Sequence, residues 1–263
     1  MPERDGYKHG IPSWVDLGTT DIEGAKAFYT ALFGWQAEDQ AVDDVDMAYT
    51  MFSKDGKAVA GGGSLPPDLA EQGVPPMWNT YVNVDNVDET ITKMEAAGGS
   101  VVMPAMDVMT AGRMAFVADP TGAAFGLWQA GDHKGAQLVN EDGALTWNEL
   151  ITDDPATAQS FFGETLGWTA ETMESPTGDY TMFAVGEDMA AGMMEKAPDM
   201  GPIPNLWGVY FAVDDCEGCA ARLTDLGGKV IKGPFDTGVG QMAVAQDPQG
   251  AVFSFIQMSQ PAE

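Results

Sequence analysis

The sequence predicts an α+β protein of four βαβββ modules paired into two domains, and three observations predict it. The second half of the chain repeats the first. Each half divides again into two strand–helix–strand units. Turn-forming residues stand between the elements at matching places in both halves.

The repeat is read residue by residue. Trp14, Leu17, Thr19 and Asp21 match Trp147, Leu150, Thr152 and Asp154 at one fixed offset, with Asp16 opposite Glu149. The offset holds through Phe28 and Phe161, and through the pairs Gly34, Trp35 and Gly167, Trp168. Later in each half, Trp78 and Tyr81 match Trp207 and Tyr210, Val84 and Asp85 match Val213 and Asp214, and Gly98 and Gly99 match Gly227 and Gly228. Asp119, Pro120 and Gly122 match Asp247, Pro248 and Gly250.

The elements follow from pattern. Residues 14–20 alternate as a strand, and Asp21 is placed to cap a helix whose first amides lack partners. Ala25, Phe28, Tyr29, Leu32 and Phe33 recur at helical spacing and make one apolar stripe. Gly34 can end that helix in the left-handed conformation. Strands are expected at 49–53 and 58–62. The second unit begins with a strand at 79–84, then Asp85 and a helix through Ile91 and Met94 that closes at Gly98 and Gly99. Strands at 101–103, 113–118 and 124–129 complete it, the last two joined by the turn at Asp119 to Gly122, where proline fixes φ and glycine allows a positive one. One unit cannot cover its own sheet, whereas two together close a core. The domains are therefore placed at residues 9–130 and 144–258, with 131–143 as a polar, glycine-containing linker; the proline-rich stretches 65–76 and 197–204 join units within each half.

Composition narrows the function. Twelve Lys and Arg stand against 40 Asp and Glu, a net charge of −28, which repels nucleic-acid phosphates and anionic membranes. No stretch approaches the roughly 18 consecutive apolar residues of a membrane span, and the polar first ten residues show no secretory signal. A cytoplasmic location and a small-molecule ligand are the expectation, with no nucleic-acid or membrane partner and the chain acting as a monomer or homodimer. Cys216 and Cys219 are spaced as a redox pair at a helix start, or serve as small apolar residues, Cys216 matching Val87 of the first half.

These spaced motifs resemble the vicinal oxygen chelate superfamily, which includes glyoxalase I, bleomycin-resistance proteins and extradiol dioxygenases. The resemblance spans residues 10–130 and 144–258, and the arrangement is similar to a two-domain subgroup of glyoxalase-like proteins and culture-filtrate antigens. It implies a divalent metal held by His, Gln and Glu on central strands. The corresponding positions here are Trp14 and Trp147, Asn79 and Gly208, Gly126 and Ser254, and positions near Gly61 and Gly192. None but Asn79 is even a weak ligand, and the two histidines, His9 and His133, fall in the N-terminal arm and the linker. No cofactor is expected.

Strand parity sets Asp16 on the face of Trp14, Glu149 on that of Trp147, and Asn79 with Tyr81. Gly126 and Trp128, and likewise Ser254 and Ile256, share a face. Asp16 and Glu149 are the candidate general bases, since a carboxylate buried beside an indole has its pKa raised by desolvation. Trp14, Asn79, Tyr81, Arg113, Trp128, Trp147, Tyr210 and Ser254 are the candidate ligand contacts, with Arg113 able to hold an anionic group or to neutralise Asp107 or Asp16. The many methionines suit an adaptable apolar lining or ordinary core filling. Two functions stand side by side. One is a glyoxalase-like enzyme acting on a small reactive or oxygenated metabolite in detoxification, without the metal chelate. The other is a protein that binds and sequesters such molecules without chemistry.

Overall fold

The structure, a computed structural model, describes residues 3–41, 48–174 and 178–259. In the first half the elements run β1 (Pro12–Thr19), α1 (Ile22–Phe33), β2 (Gln36–Ala41), β3 (Ala48–Lys54), β4 (Lys57–Ser64), the short α2 (Pro67–Glu71), β5 (Met77–Asn83), α3 (Val87–Ala96), β6 (Ser100–Val108), β7 (Gly112–Ala118) and β8 (Ala124–Ala130). The second half runs β9 (Leu145–Thr152), α4 (Pro155–Leu166), β10 (Thr169–Met173), β11 (Tyr180–Val185), β12 (Asp188–Glu195), β13 (Leu206–Ala212), α5 (Cys216–Asp225), β14 (Lys229–Asp236), β15 (Gly240–Gln246) and β16 (Val252–Met258).

Each half makes one eight-stranded sheet, in the orders β2-β3-β4-β1-β5-β8-β7-β6 and β10-β11-β12-β9-β13-β16-β15-β14. In the first sheet, β1 lies parallel to β4 and antiparallel to β5, and β5 lies parallel to β8. The second sheet repeats this with β9, β12, β13 and β16. Each sheet is thus two modules joined through their first strands.

Local chemistry starts and stops the helices as the sequence suggests. Asp21 and Asp154 accept from the Gly24 and Thr157 amides at 2.9 and 3.1 Å, and Gly34 and Gly167 end α1 and α4 at φ 71°. For α3 and α5 the cap falls one residue later than expected, on Asn86 and Asp215, because only there does the side chain reach the third helical amide. β2 and β10 were not foreseen as strands. The residues of β2 are mostly polar (Gln36, Glu38, Asp39, Gln40), as an outermost strand with little surface to bury permits.

The two sheets share their cores. In one, Phe28, Tyr29, Leu32, Phe33 and Trp35 of the first module pack with Phe211, Cys216, Cys219, Leu223 and Phe253 of the fourth. In the other, Val84, Met94, Val117 and Phe125 of the second module pack with Phe161, Phe162, Trp168 and Phe183 of the third. Modules therefore pair within a half through the sheet and across halves through the helices. Two indoles lock the arrangement: Trp35 Nε1 donates to Gly143 O and Trp168 Nε1 to Gly10 O, each at 2.7 Å. Between the central strands, Thr80 Oγ1 donates to Asn148 Oδ1 at 2.8 Å. The other face of each sheet, called its cup below, carries a separate cluster, with Trp14, Tyr81 and Trp128 in the first half and Tyr210, Met242 and Ile256 in the second. No helix among the described residues is long and apolar enough to cross a membrane.

Candidate functional site

Each cup is built on the central strands. The alternation of β1 sends Val15 and Leu17 into the helix-side core and leaves Trp14 and Asp16 for the cup. Asp16 Oδ2 accepts from the Tyr81 hydroxyl at 2.8 Å and from the Tyr49 hydroxyl at 3.3 Å, and Oδ1 accepts from Asn79 Nδ2 at 2.9 Å. Behind Tyr49, Trp14 Nε1 donates to the phenol oxygen at 2.9 Å.

The second cup reproduces the constellation on β9, β11 and β13. Glu149 Oε2 accepts from the Tyr210 hydroxyl at 2.5 Å, Tyr180 also bonds this carboxylate, and Trp147 Nε1 donates to the Tyr180 oxygen at 2.9 Å. Ser254 adds a hydrogen bond to Tyr210. In each half a carboxylate is held between two phenols, with an indole orienting the outer one.

Burial sets the electrostatics. Desolvation raises the Asp16 carboxyl above its ordinary value, opposed by the hydrogen bonds of Asn79, Tyr81 and Tyr49. Desolvation likewise raises Glu149, opposed by Tyr210 and Tyr180. Burial and the adjacent carboxylate push Tyr49, Tyr81, Tyr180 and Tyr210 up, so these phenols keep their protons at neutral pH.

Of the residues singled out by sequence, Trp14, Asp16, Asn79, Tyr81 and Trp128 gather at the first cup, and Trp147, Glu149, Tyr210 and Ser254 at the second. Arg113 does not join them: of the roles open to it, it takes the neutralisation of Asp107. It shares the parity of Ala115 and Val117, which lie in the helix-side core, and so points away from the cup. There it donates to both Asp88 oxygens and to Asp107 Oδ1, each at 2.9 Å. Tyr49 and Tyr180 went unnoticed in the sequence. The one mark they leave in the sequence is a matched glycine on the neighbouring strand: Gly61 and Gly192 lie beneath their hydroxyls with no room for a Cβ.

The buried cysteines are chemically quiet. Burial pushes the Cys216 thiol up to about 11 and the Cys219 thiol up to about 12, leaving little thiolate.

The donor set does not fit the divalent metal that the resemblance implies. Gly61 is covered by the Tyr49 hydroxyl and Gly126 by the Tyr81 ring, so two of the expected ligand positions carry phenols in place of carboxylates or imidazoles. The single carboxylate already accepts three hydrogen bonds, and Asn79 turns its amide nitrogen toward it. Among the described residues, no three His, Cys, Asp or Glu side chains are grouped to hold a metal ion. His9 is engaged elsewhere, accepting from the Asp85 amide through Nδ1.

Sheets made of paired βαβββ modules, each carrying a polar constellation on its central strands, define the glyoxalase class of fold. The sequence signature described as Glyoxalase/Bleomycin resistance protein/Dioxygenase superfamily matches residues 11–127 and 144–255, and the chain belongs to that superfamily. It is 49% identical to "Putative glyoxylase CFP32" of Mycobacterium bovis, over 97% of this chain and 98% of that protein. It is 38% identical to "Anthracycline biosynthesis protein DnrV" of Streptomyces peucetius, over 96% of this chain and 94% of that one. Among solved structures, the Mn(II)-bound glyoxalase from Novosphingobium aromaticivorans superposes with a TM-score of 0.65 at 16% identity, covering 95% of this chain and 82% of that one, a likeness of fold.

Proposed function

We propose that this chain is a glyoxalase-like enzyme that moves a proton on a small carbonyl compound without a metal. The observation that carries the reading is the carboxylate clasped by two protonated phenols, present in both cups. A carboxylate raised by desolvation is suited to accept a proton from carbon next to a carbonyl. The electron pair of that C–H bond forms the C=C bond, and the carbonyl π pair moves to oxygen. In this reading a phenol released from the carboxylate donates to the resulting enolate, as a neutral donor in a dry site can. With a hydroxyl on the carbon that lost its proton, the enolate is an enediolate. Return of the proton to the former carbonyl carbon, while the hydroxyl proton passes to the former carbonyl oxygen and the hydroxyl carbon becomes the new carbonyl, completes an isomerisation with no net oxidation. Detoxification of a reactive carbonyl metabolite fits this chemistry and the glyoxylase name carried by the relative that is 49% identical.

The test is deuterium exchange into a small α-hydroxyketone, followed by NMR in D2O with a chelator present. Exchange is expected to survive chelation and to fall by about 100-fold or more when Asp16→Asn and Glu149→Gln are combined, the range for loss of a general base. Exchange lost on chelation, or unchanged in the double variant, overturns the reading.

A second reading is binding without chemistry, favoured by the apolar second cup. Met242, Ile256, Trp147, Phe235 and Val244 surround Tyr210 there, a lining suited to a flat organic molecule. The 38% identity to an anthracycline biosynthesis protein fits a flat organic molecule as the ligand. Saturable binding of a planar aromatic ketone by a protein that shows no exchange would select it. In both readings the partner is a small molecule. The charge of −28 disfavours nucleic acid and anionic lipid surfaces.

A further inference from the structure

The cups differ where the duplication does not require it. In the first half the chain leaving β8 folds back over the rim of its own cup. The His133 imidazole stands edge-on to Trp14, with ring centroids 4.3 Å apart at 79°, and lies 5.6 Å from Trp128. Trp128 Nε1 donates to His133 O at 3.0 Å.

Beyond it the segment is tied down along its length. Ala136 N donates to Ser13 O and Gln137 N to Ala58 O, both at 2.7 Å, and the Tyr7 hydroxyl donates to Ala136 O at 2.6 Å. Gly135, at φ 105°, passes so close to Ser13 that a side chain would strike its carbonyl oxygen. Ala136 and Val139 are buried with Trp14, Tyr81 and Trp128 in one apolar cluster, and Trp14 is left 3% exposed.

The second cup has no such cover among the described residues. Its cluster of Tyr210, Met242, Ile256, Trp147, Phe235 and Val244 comes wholly from its own strands, and Trp147 remains partly exposed.

We infer that the strap from His133 to Val139 is a built-in ligand of the first cup's indole wall, and that the second cup is the one that admits an external molecule bearing a planar ring. The inference rests on reading the cups as ligand sites. The first cup supplies the template: its indole accepts a flat, neutral heteroaromatic ring edge-on, and Trp147 offers the matching indole with no internal occupant among the described residues. Burial lowers the His133 imidazole to about 4, so the ring that fills the place is uncharged at neutral pH.

Two measurements on the full chain test this. The first needs no ligand: oxidation of tryptophans by a small water-soluble oxidant, read by mass spectrometry of the peptides. Trp147 is expected to react at least fivefold faster than Trp14. The His133→Gly variant is expected to bring Trp14 up to the rate of Trp147 while leaving Trp147 unchanged. Ala136→Asp, which forces the strap off by a different contact, should do the same. Equal rates in the unaltered protein, or a Trp14 still protected in both variants, overturns the strap.

The second measurement follows the indole Nε1–H signals during titration with 2-naphthol, an uncharged planar probe. The Trp147 signal is expected to move and the Trp14 signal to stay, with Trp14 responding only after His133→Gly. A probe that moves Trp14 in the unaltered protein overturns the inference while leaving the cups as ligand sites. A probe that moves neither signal in any variant overturns both.

Discussion

The Tyr29 hydroxyl donates to Asp247 Oδ2 at 2.9 Å across the two halves of the molecule, and it accepts from Trp78 Nε1 at 3.0 Å. At the equivalent place in the other shared core a phenyl ring, Phe162, replaces the phenol, 5.6 Å from the Trp207 ring. The partners of the missing hydroxyl are both still there. Trp207 Nε1 and Asp119 Oδ2 are buried and have no hydrogen-bond partner. One core completes a Trp–Tyr–Asp chain, and its twin carries the same chain with the middle link removed.

Phe162→Tyr is therefore expected to stabilise the protein. Leaving a buried polar group unsatisfied costs about 1–3 kcal/mol, and the new hydroxyl would satisfy two. A gain of about 1–3 kcal/mol corresponds to a rise in Tm of roughly 2–10 °C for a chain of this size. Tyr29→Phe should lower Tm by a similar amount, since it orphans Trp78 and Asp247. Thermal unfolding of both variants decides the matter, and a Phe162→Tyr protein that melts at or below the parent temperature refutes it.

The asymmetry also marks what could be read from the sequence. The duplication and the helix stripes were legible because Trp14 and Trp147, or Phe28 and Phe161, match at fixed spacing and period. The face carrying Asp16 with Trp14 followed from alternation alone. The phenols Tyr49 and Tyr180 were not found, because they reach the carboxylates from strands whose register with β1 and β9 no local pattern specifies. Whether Arg113 meets a ligand or neutralises Asp107 stayed open for the same kind of reason: parity assigns a strand residue to a face only once the helix side of that strand is known. Which modules share a core is set by contacts between residues such as Tyr29 and Asp247, more than 200 positions apart in sequence.

The pH dependence of stability should carry the signature of Glu149. Its folded pKa lies above the ordinary 4.5, chiefly through desolvation, so the folded state keeps a proton that the unfolded chain releases. The associated stability is full below about 4.5 and is lost as pH rises through the higher folded value. Glu149→Gln removes this contribution. Urea unfolding at several pH values from 4 to 8 is expected to show the parent losing stability relative to the variant as pH rises. A constant difference between the two across that range would mean that the carboxyl titrates alike in both states.

Gly192 holds the second constellation together by its lack of a side chain. A Cβ there would overlap the Tyr180 hydroxyl and come within 2.7 Å of Trp147 Nε1. Gly192→Ala should push Tyr180 off Glu149 and break the indole–phenol bond, at about 1–3 kcal/mol for overpacking a filled site. The checks are an upfield shift of the Trp147 Nε1–H signal and loss of any activity that depends on the clasp. An unchanged signal with unchanged stability would show that the ring has space to yield.

The shared cores make the two halves dependent on each other. Phe28, Tyr29 and Phe33 of the first half meet Phe211, Leu223 and Phe253 of the second, while Met94 and Phe125 meet Phe161 and Phe162. Cutting the chain within 131–143 would expose both helix-side faces at once, each a run of large aromatic side chains worth about 1.5–3 kcal/mol apiece on burial. It would also strip Trp35 Nε1 and Trp168 Nε1 of their acceptors, Gly143 and Gly10. Residues 1–130 produced alone are therefore expected to aggregate, or to dimerise by presenting α1 and α3 to a second copy in place of α5 and α4. Adding the second half should restore a 1:1 complex with cooperative unfolding. Sedimentation and denaturant unfolding of the separate and mixed halves check this, and a first half that remains monomeric and unfolds cooperatively alone would show that its sheet suffices without the partner helices.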